Sequence, residues 1–104
     1  MKQSSQKSSD GAADTRRTLF ELQAEMCRTM AHPVRLEIIE VLKDGERSGT
    51  ELVEALDLPK ANVSQHLGVL RDAGLVVIRR QGVQIFAKLG LPEIVEACML
   101  VRRR

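Results

Sequence analysis

The chain has 104 residues, 43% of them apolar and 29% charged, which suits one domain with one modest core rather than two. Its longest unbroken apolar run, Ala97 to Val101, is five residues. A membrane helix needs about 20, so no membrane partner is expected, and the N-terminus shows no apolar signal segment. The two cysteines, Cys27 and Cys98, are too few and too far apart for a disulfide framework, so a reducing cytoplasm is expected. Two phenylalanines and no Trp or Tyr disfavour stacking of single-stranded bases on aromatic rings. If the chain binds nucleic acid, duplex DNA is the better candidate.

Residues 1–13 are rich in serine and carry no large aliphatic side chain after Met1, which predicts a disordered tail. The domain is then expected over residues 14–104. Asp14 is placed to cap a helix from Thr15 to about Met30, with Leu19, Leu22, Met26 and Met30 at helical spacing. Phe20, Ala24 and Cys27 broaden that stripe. His32-Pro33 ends this helix and starts a second, which runs to about Lys43 with Leu36, Ile39 and Val41 or Leu42 facing inward. Ser48 and Glu51 form a capping box for a short third helix carrying Leu52, Val53 and Leu56. Asp57-Leu58-Pro59 breaks the chain before a fourth helix, about Lys60 to Ala73, with Val63, Leu67 and Leu70 on one face.

Gly74 then suits a left-handed stop, with Leu75 able to touch Leu70. Leu75 to Ile78 reads as a strand, Arg79 to Gly82 as a turn, and Val83 to Leu89 as a returning strand. A last helix starts near Pro92, with Leu91, Ile94, Val95, Cys98 and Val101 as its stripe. The fold class is therefore mainly α with a β-hairpin wing, in the order α-α-α-α-β-β-α. Two short helices across a tight turn, followed at once by a hairpin, make a winged helix-turn-helix.

Charge separates along the same boundary. Residues 14–57 carry a net −4, and residues 59–88 a net +4. The expected recognition helix and wing are thus basic, on an acidic scaffold, as a DNA-reading face requires.

At these positions the sequence resembles the ArsR family of winged-helix repressors. The match is carried by Ala31-His32-Pro33-x-Arg35-Leu36, by Glu51-Leu52, and by Val63-Ser64-Gln65-His66-Leu67-x-x-Leu70-Arg71-x-Ala73-Gly74-Leu75-Val76. It continues through the wing, Arg79 to Leu89, and spans about Leu19 to Val101. The resemblance implies a homodimer that occupies a palindromic DNA operator and is released by a metal ion, metalloid or oxidised sulfur species. The chain departs from the family at Pro59, where Ser or Thr is usual, and at Val83, where the wing often carries a basic residue.

The N-terminal half of the recognition helix offers Lys60 for guanine, Gln65 for adenine, Ala61 for a thymine methyl, and Asn62 and Ser64 for polar contact. Arg71, Arg79 and Arg80 suit phosphates. His66 has two readings, a DNA contact or a packed, hydrogen-bonded ring. The last helix also has two, a dimer surface paired with the first helix or a cover for its own core.

The metal-ligand clusters of the family's metal sensors are missing, so neither metal nor cofactor is expected. Cys27 and Cys98 are the inducer candidates, as a dithiol open to reactive sulfur, oxidant or arsenite. They read equally as small buried apolar residues, and the inducer stays unknown. No nucleophile is partnered with either histidine and no phosphate-binding loop occurs, so an enzyme is not expected. The competing readings are a constitutive winged-helix regulator and a protein-interaction module without a sensing site.

Overall fold

The capping box forms as its spacing demands. In the computed structural model the Ser48 backbone N–H donates to Glu51 Oε1 at 2.8 Å, and the Glu51 N–H donates to Ser48 Oγ at 3.1 Å. Two otherwise unpaired donors are satisfied at once, which fixes the start of the third helix. The structure describes residues 7–102, with side chains placed for residues 11–98.

The elements are α1 (Lys7–Met30), α2 (Pro33–Leu42), β1 (Arg47–Ser48), α3 (Gly49–Leu56), α4 (Lys60–Asp72), β2 (Val76–Gln81), β3 (Gln84–Leu89) and α5 (Ile94–Arg102). Among the described residues no helix is long and apolar enough to cross a membrane.

Four details differ from the sequence expectation. The first helix begins at Lys7, so residues 7–13 join it and Asp14 lies in its interior instead of capping it; residues 1–6 of the expected tail lie outside the described residues. Ala12 and Ala13 are good helix formers, and a helix extends readily once its later turns exist. Second, β1 adds a third strand, pairing Arg47 with Ala87 and Ser48 with Phe86 in the order β1-β3-β2. Two residues are too few to show an alternating pattern. Third, β2 runs on through Gln81, so Arg79 and Arg80 are strand residues and the turn is Gly82-Val83. Gly82 takes φ +64°, the first-position geometry of a tight two-residue hairpin turn. Fourth, Leu36 is 42% exposed, and Ile38 takes its expected place in the core.

The core is one cluster. Ile38, Ile39 and Leu42 of α2 meet Leu52 and Leu56 of α3, Val63, Leu67 and Leu70 of α4, and Leu75, Val76 and Ala87. The end of α4 is locked by a full Schellman motif: Leu75 N–H donates to the Leu70 carbonyl and Gly74 N–H to the Arg71 carbonyl, each at 2.9 Å. Gly74 supplies the required left-handed residue at φ +80°. The chain therefore passes from α4 to β2 through one fixed corner.

Leu70→Ala should cost about 2–5 kcal/mol, since Leu70 is fully buried at that corner. Ser48→Ala should cost about 1 kcal/mol by removing the cap. Urea melts at fixed protein concentration measure both, and an unchanged slope will show that stability alone has moved.

Candidate nucleic-acid interface

Burying Val63, Leu67 and Leu70 leaves the other side of α4 in water. Lys60, Ala61, Asn62, Ser64 and Gln65 are all exposed there. The helix starts at Pro59, whose side chain makes no capping bond. Asn62 and Val63 N–H groups instead donate to the Pro59 carbonyl at 3.0 and 3.2 Å. Pro59 thus stands at the N-cap, just outside the first turn, with φ −59° and ψ 147°.

Strand alternation places the wing arginines on opposite faces. Arg80 pairs with Ile85, and both line a cleft of about 660 Å³ together with Lys60 and Ser64 of α4. Arg79 pairs with Phe86 on the other face. Its guanidinium lies 4.3 Å from the Phe86 ring centroid and grips Glu46 with two bonds of 2.9 Å. A third bond, 2.7 Å long, reaches Gln81 Oε1. This grip holds the Glu46 carboxyl below the usual carboxylate range. Arg79 therefore braces the wing against the segment before β1. Arg71, at the far end of α4, donates to neighbouring Asp72 at 3.2 Å and is exposed.

The structure so brings Lys60, Ser64 and Arg80 to one concave surface, with Ala61, Asn62 and Gln65 on the same exposed helix. It leaves Arg71 at the helix end and turns Arg79 away. His66 is half-buried, and its Nδ1 accepts from Arg35 Nε at 3.2 Å. Sequence reasoning missed Glu46, Phe86 and Arg35 as partners of the interface. Glu46 and Arg79 lie 33 positions apart, and no periodicity links them.

Cys27 is exposed and Cys98 half-buried, and both line a second, apolar cleft of about 500 Å³. Among the described residues no three His, Cys, Asp or Glu side chains are grouped to hold a metal ion.

A helix packed by one edge, with its polar edge and Lys60 beside a strand that carries two arginines, defines a winged-helix DNA-binding protein. Comparison with known proteins agrees. A helix-turn-helix domain family matches residues 30–79. The uncharacterized HTH-type transcriptional regulator Rv0081 of Mycobacterium tuberculosis is 41% identical over 86 residues, 82% of this chain and 75% of that protein. Its crystal structure aligns with TM-score 0.71 over 82% of this chain and 86% of that one. The transcriptional repressor BigR of Xylella fastidiosa is 34% identical, with TM-score 0.71 over 86% and 94% of the two chains. The homodimeric winged helix-turn-helix domain Mb0332 of Mycobacterium bovis, described as a possible ArsR-family regulator, is 26% identical, with TM-score 0.75 over 86% and 82%. The chain belongs to the ArsR family of DNA-binding transcriptional regulators, which are not enzymes.

Arg80→Ala should flatten the slope of log K against log[salt] by about 0.9 for each phosphate the side chain had neutralised. Glu46→Gln keeps every basic residue but loosens the wing, so it should weaken binding without flattening that slope. Fluorescence anisotropy across a salt series, on a duplex the protein selects from a random pool, separates the two.

Proposed function

We propose that the protein is a homodimeric repressor that places one α4 and wing in each half of a palindromic operator and is released when a thiol-reactive inducer acts at Cys27 and Cys98. The observation that carries the release mechanism is the shared apolar cleft. The end of α1 contributes Cys27 and Met30, α2 contributes Leu36 and Ile39, and α5 contributes Val95 and Cys98. Two thiols from helices at opposite ends of the chain thus face one space, beside the helix that carries Leu19, Phe20 and Leu22 at 62% exposure each. One protomer leaves that stripe in water; a twofold partner would cover it.

Twofold symmetry sets the operator. Two recognition helices related by a dyad read inverted half-sites about 34–36 Å apart, or a multiple of that. In each half-site Gln65 and Lys60 read base edges, with Ala61, Asn62 and Ser64 beside them. Arg80 and Arg71 contact phosphate. Arg79 acts on the DNA through the shape of the wing. A homodimeric relative and a named repressor among the similar proteins support this reading.

The inducer is a reactive sulfur species, an oxidant or arsenite, each of which attacks or binds thiolates. In a reducing cytoplasm the cysteines remain thiols until such a species arrives. Oxidation would take two electrons from two thiolates as they join. Arsenite would bind the same sulfurs without electron transfer. Either change is made at the α1–α2–α5 junction, away from α4, so release works through helix placement.

Reduced protein should bind its selected duplex tightly and lose it on polysulfide treatment, read by anisotropy. Cys27→Ser and Cys98→Ser should each bind as before and resist the treatment. Loss in the double variant equal to that in the native protein would return the cysteines to packing. Phe20→Glu should shift the mass seen by sedimentation from dimer to monomer. Gln65→Ala should narrow the gap between selected and scrambled DNA while leaving the salt slope unchanged.

A further inference from the structure

Three helices meet at one arginine. Arg35, in the first turn of α2, donates from Nη1 to the Thr29 carbonyl in the last turn of α1 at 2.9 Å, and from Nε to His66 Nδ1 in mid-α4 at 3.2 Å. The His66 ring also lies against His32, centroids 4.4 Å apart and planes inclined by 51°. His32 has its own duty: its Nδ1 accepts from Val34 N–H at 3.2 Å and caps α2.

Arginine does not lose its proton in proteins, and a backbone N–H is only a donor. Both Nδ1 atoms must therefore offer lone pairs in these bonds, and at His66 that leaves the ring proton on Nε2. Adding a proton to either Nδ1 sets donor against donor. At His66 it also adds a positive charge beside Arg35.

We propose that Arg35 and His66 are positioning residues for DNA reading, and that together with His32 they form an acid-sensitive clasp which holds the recognition helix to the α1–α2 corner. This rests on the reading of α4 as the helix that enters the groove. The titratable and charged groups facing His66 are His32 from the α1–α2 link and Arg35 from α2. Burial comes first in holding its pKa below the usual histidine value, and the fixed positive charge of Arg35 acts in the same direction.

The sign follows. A histidine whose folded pKa is lowered contributes stability that is fully present above its ordinary value of about 6.5, and that contribution is lost as pH falls through the lowered one. The clasp is closed at neutral pH and opens in acid. A histidine that gripped phosphate would act in reverse, because its proton would strengthen DNA binding. The pH profile therefore distinguishes the two roles of His66.

The test is anisotropy at constant ionic strength, under reducing conditions, from pH 7.5 to pH 5.5, on a duplex selected from a random pool at pH 7.5. Native protein should lose affinity by a few-fold for each protomer over this range; about tenfold is the limit that a one-unit pKa difference between free and DNA-bound protein reaches only below both values. His66→Asn puts an oxygen where Nδ1 was, keeps the bond to Arg35 and cannot titrate. Its affinity should change less between pH 7.5 and pH 5.5 than that of the native protein, whatever its value at pH 7.5. Arg35→Lys, with no fork to reach both partners, should bind more weakly at pH 7.5.

Nitrogen NMR of the native imidazoles needs no variant. It should find His66 Nδ1 without a proton at pH 7.5, and a proton there overturns the clasp. A flat or rising affinity in acid overturns it too, as does a His66→Asn profile that falls as steeply as the native one. Failure to select any duplex would instead overturn the reading of α4, and the clasp's role in DNA binding with it.

Discussion

A recognition helix must be held firmly by one edge while its other edge stays wet. Here Val63, Leu67 and Leu70 provide the hold, each 2% exposed or less. Those three side chains sit in a socket built by α2, α3 and the first residues of the wing. Burial of large aliphatic side chains contributes about 1.5–3 kcal/mol each, so this edge dominates the attachment of α4. The polar edge is then free to be chosen for DNA. The Schellman corner extends the constraint, since the direction of β2 is fixed by the end of the same helix.

Around this socket the polar contacts act as orienting devices. The Ser48–Glu51 box fixes where α3 begins. The Glu46–Arg79 grip ties the wing to the segment leading into β1. The Arg35 fork ties α4 to both earlier helices. The Glu46–Arg79 pair is largely in water, so its value lies in geometry more than in stability. The apolar cleft with both cysteines meets Ile39 of the same core cluster. A change there reaches α4 through packed side chains on α2, and the Arg35 fork touches the last turn of α1 two residues after Cys27.

Much of this was legible in the sequence because it is local. Ser48 and Glu51 are three apart, Leu70 and Leu75 flank a glycine, and Val63, Leu67 and Leu70 repeat at helical spacing. The exposed edge of α4 follows from that same spacing. What escaped is non-local or too short. Nothing near Arg79 points to Glu46, and nothing near His66 points to Arg35, 31 positions earlier. The β1 strand has two residues and no pattern. Leu36 looks like a core residue by spacing, yet it lines the cysteine cleft because Ile38 and Ile39 occupy the socket. The arginine pair looks like part of a turn because four polar or glycine residues run together. The register of the strand decides otherwise.

That register gives the Gly82-Val83 turn a meaning beyond joining two strands. Side chains in a strand alternate with a period of two, so sliding β2 by one place against β3 would exchange Arg79 and Arg80. The arginine now stacked on Phe86 would swing to the groove, and the one beside Ile85 would take the grip on Glu46. Turn length, rather than the presence of two basic residues, thus selects which arginine lines the cleft beside α4. Lineages that lengthen or shorten this loop by a single residue would have to rewrite the strand's charge pattern in the same step.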